Sequence, residues 1–388
     1  MSYTKQAQEL KEIMIRDRRF LHQHPEVGMD LPETCDYVMQ RLTEMGYEPR
    51  KLGGGVTADL CGDRPGKTFL LRADMDALPM KELSGLPFAS QRNCAHTCGH
   101  DMHTAMLLGA AKLLKDHQNE LCGRIRFMFQ PGEEVLGGAK SMIEAGILDG
   151  VDAAMGTHMI PSVPVGFGGY GKGTVSASSD HLKIVIHGKG GHGAHPNTSI
   201  DPINIGVHIH LALQELLSRE IEPGKTAVLT FGIFQAGDAA NIIPGTALME
   251  GTLRTFDESQ RKYLLARIRE VCTHTAQAFR GSAEVDVLYS TCALTIDAAT
   301  ADQTAAGWKK EGLRIMLQDQ KMSGSEDFAE VAARVPSTFF VVGGGTAADG
   351  CGVPLHNPTI RFNEDALPIG AAAYASGAAA WLDANAQR

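Results

Sequence analysis

At 388 residues the chain is too long for one ordinary hydrophobic core, so two domains are expected, with room for a third. Its 43% apolar and 21% charged residues are ordinary for a soluble globular protein, and no apolar run reaches the roughly 18 to 20 residues of a bilayer span. A net charge of −9 with scattered Lys and Arg excludes the concentrated basic face that nucleic-acid binding requires. The opening "MSYTKQAQELKEIMIRDRRF" is polar and amphipathic and lacks the apolar core and cleavage site of a secretory signal, so a cytoplasmic protein without a membrane role is expected. Eight cysteines, irregularly placed at 35, 61, 94, 98, 122, 272, 292 and 351, do not form a dense disulfide framework and read mostly as reduced and buried.

That opening predicts a first helix, and "LPETCDYVMQRLTEMGYEP" predicts another that stops at Gly46. "KTFLLRADMDALP" reads as a buried strand running into a polar turn, "TAMLLGAAKLLKDH" as a helix, and "GRIRFMFQPGEE" as a second strand and polar turn. "GAKSMIEAGIL" is helical, and "VDAAMGTHM" is a short strand that delivers a His. Alternating strands and helices predict a parallel or mixed sheet covered on both faces, with chemistry at the strand ends.

From about Ser178 the pattern changes to strand "HLKIVIHG", helix "DPINIGVHIHLALQELLSR", strands "TAVLTFGIFQAG" and "TALMEGTLRTF", helix "DESQRKYLLARIREVCTHTAQAFR" and strand "AEVDVLY". This β-α-β-β-α-β order is the split arrangement of a ferredoxin-like α+β domain. "STFFVVGGG" and "ALPIGAAAYASGAAAWL" then return to the earlier style. The expected organisation is a discontinuous α/β domain over 1–177 and 293–388, a mixed sheet with helices on both faces, interrupted by an inserted domain over 178–292. No internal repeat or low-complexity linker is seen.

The stretch "CAHTCGHDMH" at 94–103 gathers thiols and imidazoles. Cys98 and His100 flank one Gly, and in an extended segment residues i and i+2 point to the same side, so both reach one ion. Further ligands stand at sheet ends and in a late loop: Glu134 of "PGEE", His158 of "GTHM" and His356 of "PLHNP". Together these five suit Zn²⁺, Mn²⁺, Co²⁺ or Ni²⁺ better than Ca²⁺ or Mg²⁺. The competing reading is a structural zinc knot, which usually brings a second Cys pair that this chain lacks; a redox CxxC is absent because three residues separate Cys94 from Cys98. His208 and His210, in an apolar helix, read as packed or surface residues. In the doublet Glu133-Glu134, one carboxylate binds metal while the other serves as general base toward a water whose pKa the metal lowers, and these roles go to Glu134 and Glu133 respectively. Such pairs are also common on solvated surfaces.

The motifs "RADMDALP", "CGHDMH", "QPGEE", "GTHM", "GKGGHGAHP", "NIIP", "GSEDF" and "LHNP", in this order over nearly the whole chain, resemble the metal-dependent amidohydrolases that include hippurate hydrolases, N-acyl-amino-acid aminoacylases and plant auxin-conjugate hydrolases. The wider group of dinuclear metallopeptidases is similar in fold to bacterial carboxypeptidases that remove glutamate and to succinyl-diaminopimelate desuccinylase. The resemblance implies two divalent metal ions held by Cys98, His100, Glu134, His158 and His356, with Glu133 as base. It implies that His192, rather than His195, reaches the partner subunit's site and stabilises the oxyanion, and that a homodimer forms through the inserted domain. Where the wider group has His-x-Asp, this chain has Asp74-Met75-Asp76, so one customary His ligand is missing and metal binding leans on the Cys98 cluster. Asp76 is then expected to orient a ligand His. Asp74 and Asp101 could do the same or cap backbone. Candidate anchors for a substrate carboxylate are Asn241, Arg254 and the backbone N–H groups around Gly344, although an ion-paired strand Arg and a tight turn are equally ordinary.

The expectation is therefore hydrolysis of the amide bond of a small-molecule N-acyl amino acid, releasing an acid and a free amino acid, with the inserted domain closing over the substrate. A dipeptidase or carboxypeptidase with the same centre, and a non-catalytic metal-binding scaffold, are the alternatives. Neither the acyl group nor the native metal is legible.

Overall fold

The computed structural model describes residues 2–319 and 321–386. The chain folds as two compact units: Met1–Gly173, Thr295–Gln320 and Asp327–Arg388 form the first, Thr174–Leu294 and Lys321–Glu326 the second. The short return of Lys321–Glu326 to the second unit has no signature in the sequence pattern. It follows from pairing: Met322 donates its N–H to the Val175 carbonyl at 2.8 Å and accepts from Ala177 at 3.1 Å.

The first unit is built on an eight-stranded mixed sheet in the order Arg50–Leu52, Gly55–Cys61, Cys122–Gln130, Arg64–Asp74, Ala153–Ile160, Ser337–Gly343, Phe167–Tyr170, Arg314–Leu317. Cys122–Gln130, Arg64–Asp74 and Ala153–Ile160 are adjacent and mutually parallel, so their C-terminal ends open at one edge of the sheet. They are near-continuously apolar because helices cover both faces. Phe69, Leu71 and Ala73 enter the main core with residues of the helices His100–Asp116 and Leu367–Ala384. The latter, rich in Ala and Gly, lies close enough that a Cβ on Gly377 would stand 2.9 Å from Nε1 of Trp308. The amphipathic start is divided at Leu10 into Tyr3–Glu9 and Lys11–Gln23 rather than forming one helix.

In the second unit the strands Ala227–Ala236, Thr246–Thr255, Ser179–His187 and Ser282–Thr291 make an antiparallel sheet in that order. The helices Pro202–Glu215 and Glu258–Ala278 share a core with its alternate residues, among them Leu182, Ile184, Ile186, Met249 and Leu253. Asp201 and Asp257 cap these two helices through backbone N–H groups. No helix among the described residues is long and apolar enough to cross a membrane.

Candidate metal centre

Three parallel strands end beside one another and hand their side chains to one place. Arg64–Asp74 runs out into Asp76, Cys122–Gln130 into the turn carrying Glu133 and Glu134, and His158 lies near the end of Ala153–Ile160. Cys98 and His100 arrive on the loop that opens the helix His100–Asp116, after a left-handed Gly99 at φ 91°. His356 comes from a late loop tied to the same segment, since its N–H donates to the Thr97 carbonyl at 3.1 Å. His356 is itself left-handed, at φ 60°, a strained conformation for a residue with a Cβ.

The candidate ligand atoms of Cys98, His100 and His158 gather within 4.8 Å of one another, as do those of Cys98, Glu134 and His356, and those of His100, Glu133 and Glu134. Sγ of Cys98 is 3.3 Å from Nε2 of His158, and Nε2 of His356 is 3.4 Å from Oε1 of Glu134. The structure thus brings Cys98, His100, Glu133, Glu134, His158 and His356 to one centre.

Backbone contacts fix which ring nitrogen each His presents. Nδ1 of His100 lies 2.9 Å from the Asp76 carbonyl oxygen and Nδ1 of His158 lies 2.7 Å from that of Met159, so each donates there and turns a bare Nε2 toward the centre. Nε2 of His100 is buried without a hydrogen-bond partner among the described residues, and Oε1 of Glu134 is buried with the His356 imidazole 3.4 Å away. Burying unsatisfied acceptors is costly unless a ligand compensates them. Burial also pushes the Cys98 thiol well above its usual range, so a neighbouring cation is what would hold it as thiolate. One sulfur, three imidazoles and a carboxylate gathered in this way form a donor set that suits borderline divalent ions.

The orienting role expected of Asp76 toward a ligand His fits its contacts with His100, whose Nδ1 lies 2.9 Å from the Asp76 carbonyl oxygen and 3.3 Å from Oδ1 of its carboxylate. Its carbonyl takes the His100 N–H, while Oδ1 and Oδ2 accept the backbone N–H groups of Glu133 and Glu134 at 3.0 and 3.1 Å. The carboxylate therefore sets the carboxylate doublet. His103, unassigned from the sequence although it lies within "CGHDMH", is held at both nitrogens: Nδ1 is 2.6 Å from Oδ1 of Asp74, and Nε2 accepts from the Met159 N–H at 2.7 Å. It is a neutral strut, its pKa lowered to about 4 chiefly by burial.

Asp74 also accepts from Nη1 of Arg72 at 2.7 Å, and the same guanidinium reaches Asp327 at 2.8 Å and Gln130 at 2.8 Å. Oε1 of Glu133 accepts the Asp327 N–H at 3.3 Å. Arg72, Gln130 and Asp327 lie within "RADMD", "QPGEE" and "GSEDF" but had no assigned role; the i, i+2 spacing of Arg72 and Asp74 on one strand face was the available signal. Asp101 accepts from Arg18 at 2.7 Å and from His22 at 2.9 Å, tying the start of the His100–Asp116 helix to Lys11–Gln23.

Gly344 corrects an expectation. Its N–H donates to the Ile160 carbonyl at 2.8 Å and that of Gly345 to Val163 at 2.9 Å, so these groups are engaged within the fold rather than presented to a substrate. A Cβ on Gly344 would stand 2.7 Å from Phe362, so glycine is there for close packing. His192, Asn241 and Arg254 belong to the second unit. His192 pairs with Ile242, and Gly193 donates to the Asn241 carbonyl at 2.8 Å, which brings two of them together. Nη1 of Arg254 reaches the Ser323 carbonyl at 3.4 Å.

An N-acetyl-L-cysteine deacetylase of Bacillus subtilis is 38% identical over 361 residues, covering 92% of this chain and 85% of that protein. A thermostable carboxypeptidase of Saccharolobus solfataricus is 36% identical over 376 residues, 95% of each chain. The crystal structure of a dinuclear metal-binding peptidase of the M20 family from Bacillus subtilis superposes with a TM-score of 0.84 at 33% identity, covering 97% of this chain and 99% of that one. The description of peptidase family M20/M25/M40 matches residues 70–379, and the chain belongs to that family.

Proposed function

We propose that this protein hydrolyses the amide bond of N-acyl amino acids at a centre of two divalent metal ions. The observation that carries this reading is the convergence of a buried, unpartnered acceptor, Nε2 of His100, and a buried carboxylate oxygen, Oε1 of Glu134, with the Cys98, His158 and His356 donors and the Glu133 carboxyl. Cys98, His100, Glu134, His158 and His356 would hold the ions, as Zn²⁺, Mn²⁺, Co²⁺ or Ni²⁺. When bound, such ions polarise the amide carbonyl and make water acidic enough to attack near neutral pH.

The chain's own groups supply the rest. Glu133, steadied by the Asp327 N–H, takes a proton from the attacking water and returns it to the amide nitrogen as the C–N bond breaks, leaving a carboxylic acid and a free amine. His192 donates to the oxyanion that forms on the carbonyl oxygen. Its Nδ1 accepts from the Ala194 N–H at 3.1 Å, which leaves the proton of the neutral ring on Nε2, free to donate. Asn241 and Arg254 anchor the substrate carboxylate.

A homodimer through the second unit is part of this reading, with His192 serving the partner subunit's centre. Ile203, Val207 and Leu211 form an exposed i, i+4, i+8 stripe on Pro202–Glu215, and Val228 and Phe234 are exposed on the edge strand Ala227–Ala236. Sedimentation at the mass of a single 41.6 kDa chain would remove the dimer from the proposal. Free thiols such as Cys35, Cys61, Cys98, Cys122 and Cys272 favour a reducing compartment, and we place the protein in the cytoplasm.

The test is amine release from N-acyl amino acids by metal-stripped protein before and after adding each ion, with dipeptides in the same panel because two relatives bear a carboxypeptidase name. Release only with metal is expected, and Glu133→Gln should lower it about 10²- to 10⁴-fold with bound metal unchanged. Preference for dipeptides would move the activity to a peptidase. Metal binding without turnover of anything in the panel would leave a scaffold.

A further inference from the structure

We infer that an apolar ledge formed by Val27, Met29 and Val135 receives the acyl group of the substrate and selects bulky apolar acyl chains over acetyl. This rests on the amidohydrolase reading above and specifies its substrate class. Val27, Met29 and Val135 are exposed at 40%, 37% and 38%, and each lies within a few residues of the machinery. Val27 bridges Ala77, next to Asp76, and the Ala77 N–H donates to the Glu26 carbonyl at 2.7 Å, so the segment carrying Val27 and Met29 runs alongside the residue that sets the carboxylate doublet. Val135 directly follows Glu134 in a tightly closed turn, where Leu136 donates to the Glu133 carbonyl at 2.8 Å and sits at φ 53°.

Gly132 joins the two segments. A Cβ there would lie 2.3 Å from Sδ of Met29 and 3.3 Å from Cγ2 of Val135, so the absent side chain lets both close over the backbone one residue before Glu133. Pro131 continues the surface, since it and the Met29 carbonyl both stand within 3.4 Å of a Cβ placed on Gly54. Three apolar side chains exposed together beside a polar, buried centre make a surface that an apolar group can cover in use.

An N-acyl amino acid has one apolar end and one carboxylate end. The ledge presents Val and Met side chains, which cannot hydrogen-bond a carboxylate, so it suits the acyl end. Met and Val surfaces suit an aromatic or branched acyl chain, whereas an acetyl methyl is too small to cover them.

The experiment compares kcat/KM for N-benzoyl and N-acetyl derivatives of one amino acid, with metal content measured, in the wild type and in a Met29→Ser/Val135→Thr double variant. Benzoate and acetate are tested as competitive inhibitors of the same proteins. The wild type should favour the benzoyl substrate, and the double variant should lose about tenfold on benzoyl and on benzoate affinity while acetyl and acetate stay within about twofold. Met316→Ser, on an exposed strand at the far edge of the sheet, controls for loss of any surface apolar group and should leave the ratio unchanged. An unchanged ratio in the double variant, or an equal fall on both substrates, overturns the ledge while leaving the amidohydrolase reading intact. A metal-loaded wild type that hydrolyses neither amide overturns that reading and the ledge with it.

Discussion

Three hydrogen bonds converge on Asp76, whose two carboxylate oxygens hold the N–H groups of Glu133 and Glu134 and whose carbonyl holds Nδ1 of His100. One residue thereby fixes the proposed base and two proposed ligands, and replacing its side chain should release the doublet and the 3.3 Å carboxylate contact with His100 while leaving the main-chain one. Asp76→Ala is expected to weaken metal binding about 10- to 100-fold and to cost about 1–3 kcal/mol of stability, because two buried N–H groups lose their acceptors. Metal titration and chemical denaturation would check this; unaltered metal affinity would show that the turn holds itself. The centre was largely legible in the sequence because its groups sit in short segments of unusual chemistry, "CGH", "PGEE" and "GTHM". The division of labour around it was not. How Asp76 divides its carbonyl and carboxylate between His100 and the doublet, whether His103 is a ligand or a strut, and whether the Gly344 N–H is already engaged depend on where neighbouring strands end, which residue spacing does not encode.

Helix caps are the elements most plainly written in the chain. Asp201, Asp257 and Asp297 each precede a helix and accept its first backbone N–H groups. The carboxyl of Asp257 is held down to about 2, first by the Ser259 hydroxyl at 2.5 Å and then by the Gln260 N–H at 2.8 Å. A folded value below the ordinary one means that the unfolded chain binds the proton more readily. The cap's contribution is therefore complete above about pH 4 and lost as pH falls through about 2. Asp257→Asn should keep most of the neutral-pH stability and flatten part of its decline between about pH 5 and 3, and Asp257→Ala should cost about 1 kcal/mol at pH 7. Denaturant midpoints across that range decide it, and an Asn variant with the wild-type slope would assign the pH dependence elsewhere. The long strands and helices were legible because each carries its own period, as in "HLKIVIHG" and "DESQRKYLLARIREVCTHTAQAFR". Phe167–Tyr170 and Arg314–Leu317 were not, being four residues each and defined mainly by pairing with each other and, for Phe167–Tyr170, with Ser337–Gly343.

Each unit has its own core, and every proposed metal ligand belongs to the first. The interruption of one α/β pattern by a β-α-β-β-α-β run made two bodies legible, whereas the crossing of Lys321–Glu326 depends on contacts with Val175 and Ala177. A ligand that binds only the folded first unit stabilises that unit by mass action, by about 2.7 kcal/mol when present at 100 times its dissociation constant. Buried ligand groups such as Nε2 of His100 and Oε1 of Glu134 cost free energy when an ion does not compensate them, and that cost falls on the segments that carry them. Stripping the metal should therefore speed hydrogen exchange in peptides spanning residues 94–110 and 122–136. Peptides from Ser179–His187 and Thr246–Thr255 should keep their wild-type protection, because their hydrogen bonds and apolar contacts lie within the second unit's sheet and core. Hydrogen-exchange mass spectrometry on matched metal-loaded and chelated samples would resolve the two. Equal loss of protection in both units would mean that they unfold as one cooperative body. No change anywhere, with metal loading verified, would mean that ion binding is not what stabilises these segments.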